Sequence, residues 1–468
     1  MLLDIGYVNG LTLEEREDLN KLVRVFNAHS SKNFIKDKYY DGKIPLREVN
    51  IGIAIPKELK KLEIDCRWGA KTVDMLAMRS MFDGFVGLNG EIDKNIDEIV
   101  SLNNLVFEYS KACRDELKYG CTFATISQDE DDKAKIRFHT PKTASALWDG
   151  SKGRIKCGLA IIDTKYDESD DAYHPSIINY YKEDETVVIS RNKGGWTAEY
   201  YPHDLGMPLM VPMIWNATTD KPFGRSRIDG PVRRLIQNYV GVMADMRIAI
   251  EFDTAPQKYL LGVTDEQFDS VISNKFKQYV GNILASTANP ETGQNPEFGQ
   301  LPQGNIEPHV QAIRLIATQF AAQTGLTVAD VGIINDANPT SSDAILAQSQ
   351  TLIALAEQLN AGNASALEQI INMSMELMGI EASSDVIPHF KNPAMPSVAV
   401  TADAAIKIAS ARQGFGQTDT FLEMIGFSQA DIRRIKAQER DVRGQMLLQE
   451  EFKNLSDDQA GGEADGDK

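Results

Sequence analysis

Apolar residues recur at helical spacing over the first quarter of the chain, give way to short alternating runs, and return to helical spacing for most of the remainder. Leu19, Leu22, Val23 and Phe26 sit among charges within Leu13 to Asn27, and Phe34 to Asp41 keeps the same register up to a turn at Gly42. Ala70 to Phe82 and Ile96 to Leu117 carry that period too, so the part before Gly120 is predicted to be mostly helical. The next hundred residues differ. Cys121 to Ile126, Ala134 to His139, Gly158 to Asp163, Ile177 to Tyr181, Thr186 to Ser190 and Trp196 to Tyr201 are β-rich runs, separated by turn signals such as Asp149-Gly150 and Lys193-Gly194-Gly195. They predict an antiparallel β-rich region.

From Pro231 to Asp253 the apolar set Val232, Leu235, Ile236, Tyr239, Val242, Met243 and Met246 predicts a helix, about 35 Å long at 1.5 Å per residue. Thr254-Ala-Pro256 ends it, because proline disfavours helical backbone before it. Gln257 to Gly304 predicts a small α/β unit, with a strand at Lys258 to Leu261, a helix around Asp265 to Lys277 and a strand near Ile283. A second long helix, Ile306 to Gln323, stops at Gly325. Asn335 to Asp343 then reads as an ordered polar loop: Pro339 suits a helix entry, Thr340 or Ser341 can cap free N–H groups, and Asp343 complements the helix dipole. The third helix runs through Ile345, Leu346, Leu352, Ile353, Leu355 and Leu359 and on past Gly362 to Leu377. That is long for a globular protein. Beyond Pro388 and Pro396 come helical stretches at Ala402 to Arg412, Thr418 to Ile425 and Ser428 to Phe452.

At 468 residues, 42% hydrophobic and 25% charged, the chain matches a folded protein of two to four domains. No apolar run reaches the length of a membrane span, since the longest candidate, Met207 to Trp215, is broken by Pro208 and Pro212. Met1 to Thr12 lacks the basic start and apolar core of a signal peptide, so the chain is expected to stay where it is made. Cys66, Cys113, Cys121 and Cys157 form no disulfide framework or C-x-x-C pair and read as buried thiols. A formal charge of -18 argues against a protein that grips nucleic acid tightly, because phosphate neutralisation needs clustered Lys and Arg. Part of that charge lies in Ser456 to Lys468, a Gly- and acid-rich tail expected to be disordered.

Enzyme motifs are missing. No phosphate loop, dinucleotide-binding turn, H-E-x-x-H helix or nucleophile elbow occurs, and the six histidines are scattered. Two acidic clusters, Asp129-Glu-Asp-Asp132 and Asp167-Glu-Ser-Asp-Asp171, are the candidates for a divalent cation, as in a metal-dependent nuclease. Both lie in predicted turns and lack the spacing of a calcium loop, so solvated acids are the expectation, with no cofactor and no catalytic residue. Arg225 and Arg227 can pair with a neighbouring subunit's carboxylates or with phosphate, or form routine surface ion pairs.

The order of parts carries more information than any one of them: a helical start with Tyr39-Tyr-Asp-Gly-Lys43, a β-rich region ending in Phe223-Gly-Arg-Ser-Arg-Ile228, then long helix, small module, long helix, Asn-Pro-Thr-Ser loop and long helix. From about Leu13 to Phe452 this resembles the portal proteins of tailed bacteriophages, the siphophage-type portal family. The resemblance implies an α+β portal fold: a wing at 1–230, a first stem helix at 231–254, a small α/β clip at 255–305, a second stem helix at 306–325, a tunnel-loop region at 326–343, a long helix behind it at 344–379, a helical crown at 380–455 and the tail at 456–468. It implies a ring, usually dodecameric, at one capsid vertex of the virion, assembled in the host cytoplasm, through which double-stranded DNA passes without sequence specificity. The implied partners are the terminase large subunit, a head-completion adaptor, and the major capsid and scaffolding proteins, with no membrane. Ile333, Asn335, Asp336, Asn338, Thr340, Ser341 and Ser342 would then line the channel, Lys258, Lys275 and Lys277 would belong to the docking surface of the clip, and Arg225 and Arg227 would contact neighbouring subunits. The loop departs from some portals in having no lysine between Ile333 and Asp343, so weak polar contact is expected there rather than a clamp on phosphate.

Overall fold

The computed structural model describes residues 2–44, 64–87, 93–168, 170–192, 194–254, 258–261, 293, 297–300, 304–332, 342–382, 386–394, 398–412 and 414–461. A short strand β1 (Val8–Asn9) leads into helix α1 (Leu13–Tyr40). Thr12 and Glu15 begin the helix with reciprocal bonds: the Thr12 N–H donates to Glu15 Oε2 at 2.8 Å and the Glu15 N–H to Thr12 Oγ1 at 3.4 Å. The two expected stretches are thus one unbroken helix.

Helix α2 (Trp68–Ala77) ends sooner than its apolar pattern predicts, because Phe82 opens strand β2 (Phe82–Gly87). The helix expected over Ile96 to Leu117 is divided into α3 (Lys94–Leu102) and α4 (Leu105–Tyr119). Asn104 is left-handed at φ 47°, and the buried Asn103 holds the break. Its amide donates to the Ile99 and Ala134 carbonyls at 3.0 and 2.9 Å and accepts from the Ile136 N–H at 2.8 Å. Helical spacing of apolar residues continued across a site where one side chain replaces the helix bonds.

Strands β3 (Cys121–Gln128), β4 (Ala134–His139), β5 (Ala144–Asp149), β6 (Arg154–Asp167), β7 (Ala172–Tyr181), β8 (Glu185–Asn192), β9 (Gly195–Pro202) and β10 (Met210–Ile214) follow. They form two sheets, ordered β1-β9-β8-β7-β6-β5 and β10-β3-β4, antiparallel except where β1 joins β9. Leu19, Leu22 and Phe26 of α1 share a core with Leu159, Ile178, Val187 and Ile189 of the larger sheet. The smaller sheet belongs to a second, larger core with α2, α4 and the long helices.

Helix α5 (Gly230–Thr254) is followed by a strand pair, β11 (Lys258–Leu261) and β12 (Glu297–Gln300), antiparallel with Lys258 opposite Gln300. Helix α6 (Glu307–Thr324) returns along α5, and α7 (Ser342–Leu377) runs 36 residues without a break. Strand β13 (Val386–Phe390) then pairs with β2, bringing the chain back to the N-terminal part within the stretch that the resemblance assigns to the crown. Helices α8 (Val398–Ala411), α9 (Asp419–Ile425) and α10 (Gln429–Gly461) complete the fold. The last of these continues as helix past Ser456, where disorder was expected, and 462–468 lie outside the described residues. Among the described residues no helix is long and apolar enough to cross a membrane.

Candidate functional site at the root of the long helices

Helices α5, α6 and α7 meet at a junction organised around Trp68, the first residue of α2. Its ring lies 4.2 Å from that of Tyr239 on α5 and 4.7 Å from that of Phe320 on α6, centroid to centroid. Val232, Ile236, Val240, Ala317, Phe320 and Ala321 are buried around it. Apolar surface removed from water, worth roughly 25 cal/mol per Å², joins the helix pair to the rest of the larger core.

Arg227 stands at the centre of the junction, 9% exposed. Its Nε donates to the Thr72 carbonyl at 2.7 Å and Nη2 to the Thr324 carbonyl at 2.6 Å, while its own N–H donates to the Leu117 carbonyl at 2.9 Å. Burial lowers its pKa to about 10, opposed by the Asp229 charge. One side chain thereby joins α2, the entry to α5 and the last turn of α6. The resemblance implies that Arg225 and Arg227 contact neighbouring subunits; within one chain the guanidinium of Arg227 is engaged by the Thr72 and Thr324 carbonyls, and Arg225 is exposed.

The segment after α6 is held from the same side. Gly325 turns the chain at φ 72°, and a Cβ there would come within 3.0 Å of Leu355 and 3.2 Å of Thr351 on α7, so both the left-handed turn and the close approach favour glycine. Thr327 and Asp330 then cap one another: the Thr327 N–H donates to Asp330 Oδ2 at 2.9 Å and the Asp330 N–H to Thr327 Oγ1 at 3.1 Å. Lys71 donates to the Asp330 carbonyl, and Leu326 and Val331 are buried. Ile333, Asn335, Asp336, Asn338, Thr340 and Ser341 lie outside the described residues. Ser342 opens α7. Lys258 lies on β11, while Lys275 and Lys277 are outside the described residues.

Midway along α7 a buried polar chain fixes the helix to α4. Asn363 donates through Nδ2 to Glu116 Oε2 at 2.9 Å and to the Tyr109 hydroxyl at 3.0 Å, and that hydroxyl lies 2.7 Å from Ser80 Oγ. Burial pushes the Glu116 carboxyl up to about 8, against the Asn363 hydrogen bond that lowers it, so the group is a neutral acid at pH 7. Sequence reading missed this pair. The available signal was a polar residue, Asn363, within the apolar stripe of a long helix.

The acidic clusters are turns. Asp129 Oδ1 accepts from the N–H groups of Asp131 and Lys133 at 3.0 and 2.8 Å. In the second cluster, ligand atoms of Asp167, Asp170 and His174 lie within 4.8 Å of one another at a hairpin tip, where His174 and Asp170 are already paired at 2.7 Å. The four cysteines are free and buried, as expected.

The family model described as "Phage portal protein, SPP1 Gp6-like" matches residues 27–445. The portal protein of Mycobacterium phage L5 is 26% identical over 424 residues, covering 86% of this chain and 84% of that protein. The portal protein of Mycobacterium phage D29 is 25% identical over 429 residues, covering 88% and 86%. Among solved structures, a chain from the neck of a native GTA particle computed with C12 symmetry is 13% identical with a TM-score of 0.45, covering 77% of this chain and 89% of that one. A chain from the neck of an empty GTA particle computed with C6 symmetry has 13% identity and a TM-score of 0.42, covering 74% and 87%.

Proposed function

Since this chain belongs to the family of SPP1 Gp6-like phage portal proteins, we propose that its copies close into a dodecameric ring at one capsid vertex and that double-stranded DNA passes through the ring during packaging and ejection. The observation that carries this reading is the family match over 27–445, which includes α5, α6, residues 333–341 and α7 as one continuous stretch. In that ring the loop residues Ile333, Asn335, Asp336, Asn338, Thr340, Ser341 and Ser342 face the channel. The strand pair of β11 and β12, with Lys258, Lys275 and Lys277, is the docking surface for the terminase large subunit and later the head-completion adaptor. The outer part meets the major capsid and scaffolding proteins, assembly takes place in the host cytoplasm, and the ring has no catalytic centre of its own.

Charge favours transport over capture. B-DNA carries about one negative charge per 1.7 Å of axis, and a ring of subunits each with a formal charge of -18 repels it. Repulsion from the walls removes deep binding wells along the path, and short polar side chains in the loop can make and release contacts. A metal-dependent nuclease has no support from the Asp129 turn, whose carboxylate is engaged with its own backbone.

Electron microscopy of the purified protein tests the ring: an annulus with an axial opening is expected, and monomers at every concentration would refute it. Asp336→Lys, in rings that still assemble, is expected to impair packaging and ejection; normal DNA movement by that variant would remove the loop from the channel.

A further inference from the structure

The β6–β7 hairpin extends well past the sheet that carries it. Strand β5 pairs with β6 only as far as Ala160, and β8 pairs with β7 only from Ile177, so Thr164–Asp167 and Ala172–Pro175 pair with one another alone. Among the described residues no third strand pairs with either edge of this arm, and an isolated two-stranded ribbon is marginal in water. It nonetheless presents two tyrosines outward. Tyr166 and Tyr173, directly opposed in register, are 50% and 64% exposed with ring centroids 5.2 Å apart. Beyond them the tip carries Asp167, Glu168, Asp170 and Asp171, exposed at the turn.

A pocket of opposite character lies at the base of the same sheet. Its lining includes the apolar Phe26, Phe123 and Phe223, the bases Lys36 and Arg225 and the imidazole of His29, with no carboxylate among the lining residues. Lys36 is brought to about 8 by burial first, and the Arg233 and Lys32 charges push the same way while Asp37 opposes them. His29 is lowered by desolvation and then by Lys32 and Lys36. These groups share a positive field. The rim is also preformed, because the turn at Gly224 is left-handed at φ 66° and its neighbour Arg225 packs so closely on Gly120 that a Cβ there would meet Arg225 at 3.0 Å.

The arm does not fill this pocket in its own chain. Ala144, in the pocket lining, is opposite Ala160 on β6, and the tip at Asp167 is roughly 20 Å farther along the strand at ~3.3 Å per residue. We propose that the acidic, tyrosine-bearing arm of one copy docks into the His29–Lys36–Arg225 pocket of the next copy, so that each subunit both gives an arm and receives one. The contact is heterologous, the type that closes a ring when the rotation between copies permits. Charge complementarity selects the occupant, and the tyrosines match the half-buried Phe223 in the lining. This inference rests on the ring reading and adds to it a named contact.

Cross-linking tests it without touching the charges. Val25→Cys in the pocket lining and Ala172→Cys on the arm, in one chain, are treated with a short bis-maleimide. The native thiols are buried, and Cys121 in the pocket wall is pushed up to about 12, which leaves it unreactive. A denaturing-gel ladder of covalent oligomers is expected from intact rings, absent from either single variant. Arg225→Glu should weaken the ladder and Asp170→Arg in the same chain should restore it. Rings seen by microscopy that give no ladder, or only links within one chain, would overturn the docking and leave the ring standing. A wild-type protein with no ring would overturn both.

Discussion

Two helices of nearly equal length, α7 with 36 residues and α10 with 33, occupy opposite environments. Along α7, Leu352, Ala356, Leu359, Leu367, Ile370 and Ile371 are almost fully buried, in one core with α4 and the smaller sheet. On α10, Ile432 is buried, but every side chain from Ala437 to Gln449 is exposed, including Val442, Met446, Leu447 and Leu448. Helix propensity alone rarely sustains a helix in water; packing of a face does. The first helix is therefore a structural axis of the subunit, whereas the second owes little of its order to the rest of the chain. Truncation separates them most strongly. Leu367→Ala is expected to destabilise the folded subunit by about 2–5 kcal/mol, by lost apolar burial and the cavity left behind. Denaturant unfolding measures it, and a cost below 1 kcal/mol would place α7 outside the cooperative core.

The buried polar chain sharpens the same contrast, because the Asn363 amide of α7 is bonded to a buried ionisable group, Glu116 on α4, whereas the described charges of α10 beyond Ala437 are exposed. Glu116 has an ordinary value of 4.5 and is raised to about 8 when folded. Below the lower value the acid is protonated in both states. As pH rises through the window between them the unfolded chain gives up its proton and the folded chain does not, so stability is lost progressively. Glu116→Gln keeps an amide in place of the neutral acid and removes the titration. The variant should match the wild type near pH 4 and gain on it up to pH 8, by an amount on the order of a few kcal/mol. Parallel unfolding curves across that range would show that the carboxyl is not held neutral.

How much of this was legible in the sequence varies with the kind of signal. The bounds of α5, α6 and α7 were readable to within a residue or two because proline, glycine and a sustained apolar period mark them locally. Strands β4 and β8 were equally clear. Strand β13 was not, since its pairing with β2 joins residues about 300 positions apart and no local pattern records a partner. The break at Asn103 was hidden for a similar reason: the residues that satisfy its side chain, Ala134 and Ile136, are on a strand. At the junction, Phe223-Gly-Arg-Ser-Arg-Ile228 stood out as basic, but which arginine turns inward depends on the carbonyls of Thr72 and Thr324. The polar run from Asn335 stands out by composition, and its residues up to Ser341 lie outside the described residues.

The smallest expected effect gives the finest test of the contrast. Leu447→Ala on α10 deletes a side chain that is 60% exposed, so little transfer free energy is lost and no cavity forms; in the single subunit the change should stay within about 0.5 kcal/mol. Hydrogen exchange extends this to the backbone. Amides of α10 beyond Ala437 should exchange through local fraying, near the fast limit for a helix, while those around Leu367 on α7 should open only with global unfolding. Equal protection in the two helices of an isolated subunit would mean that α10 has a packed face within the chain, and the exposure of Val442, Met446, Leu447 and Leu448 would then not describe the molecule in solution.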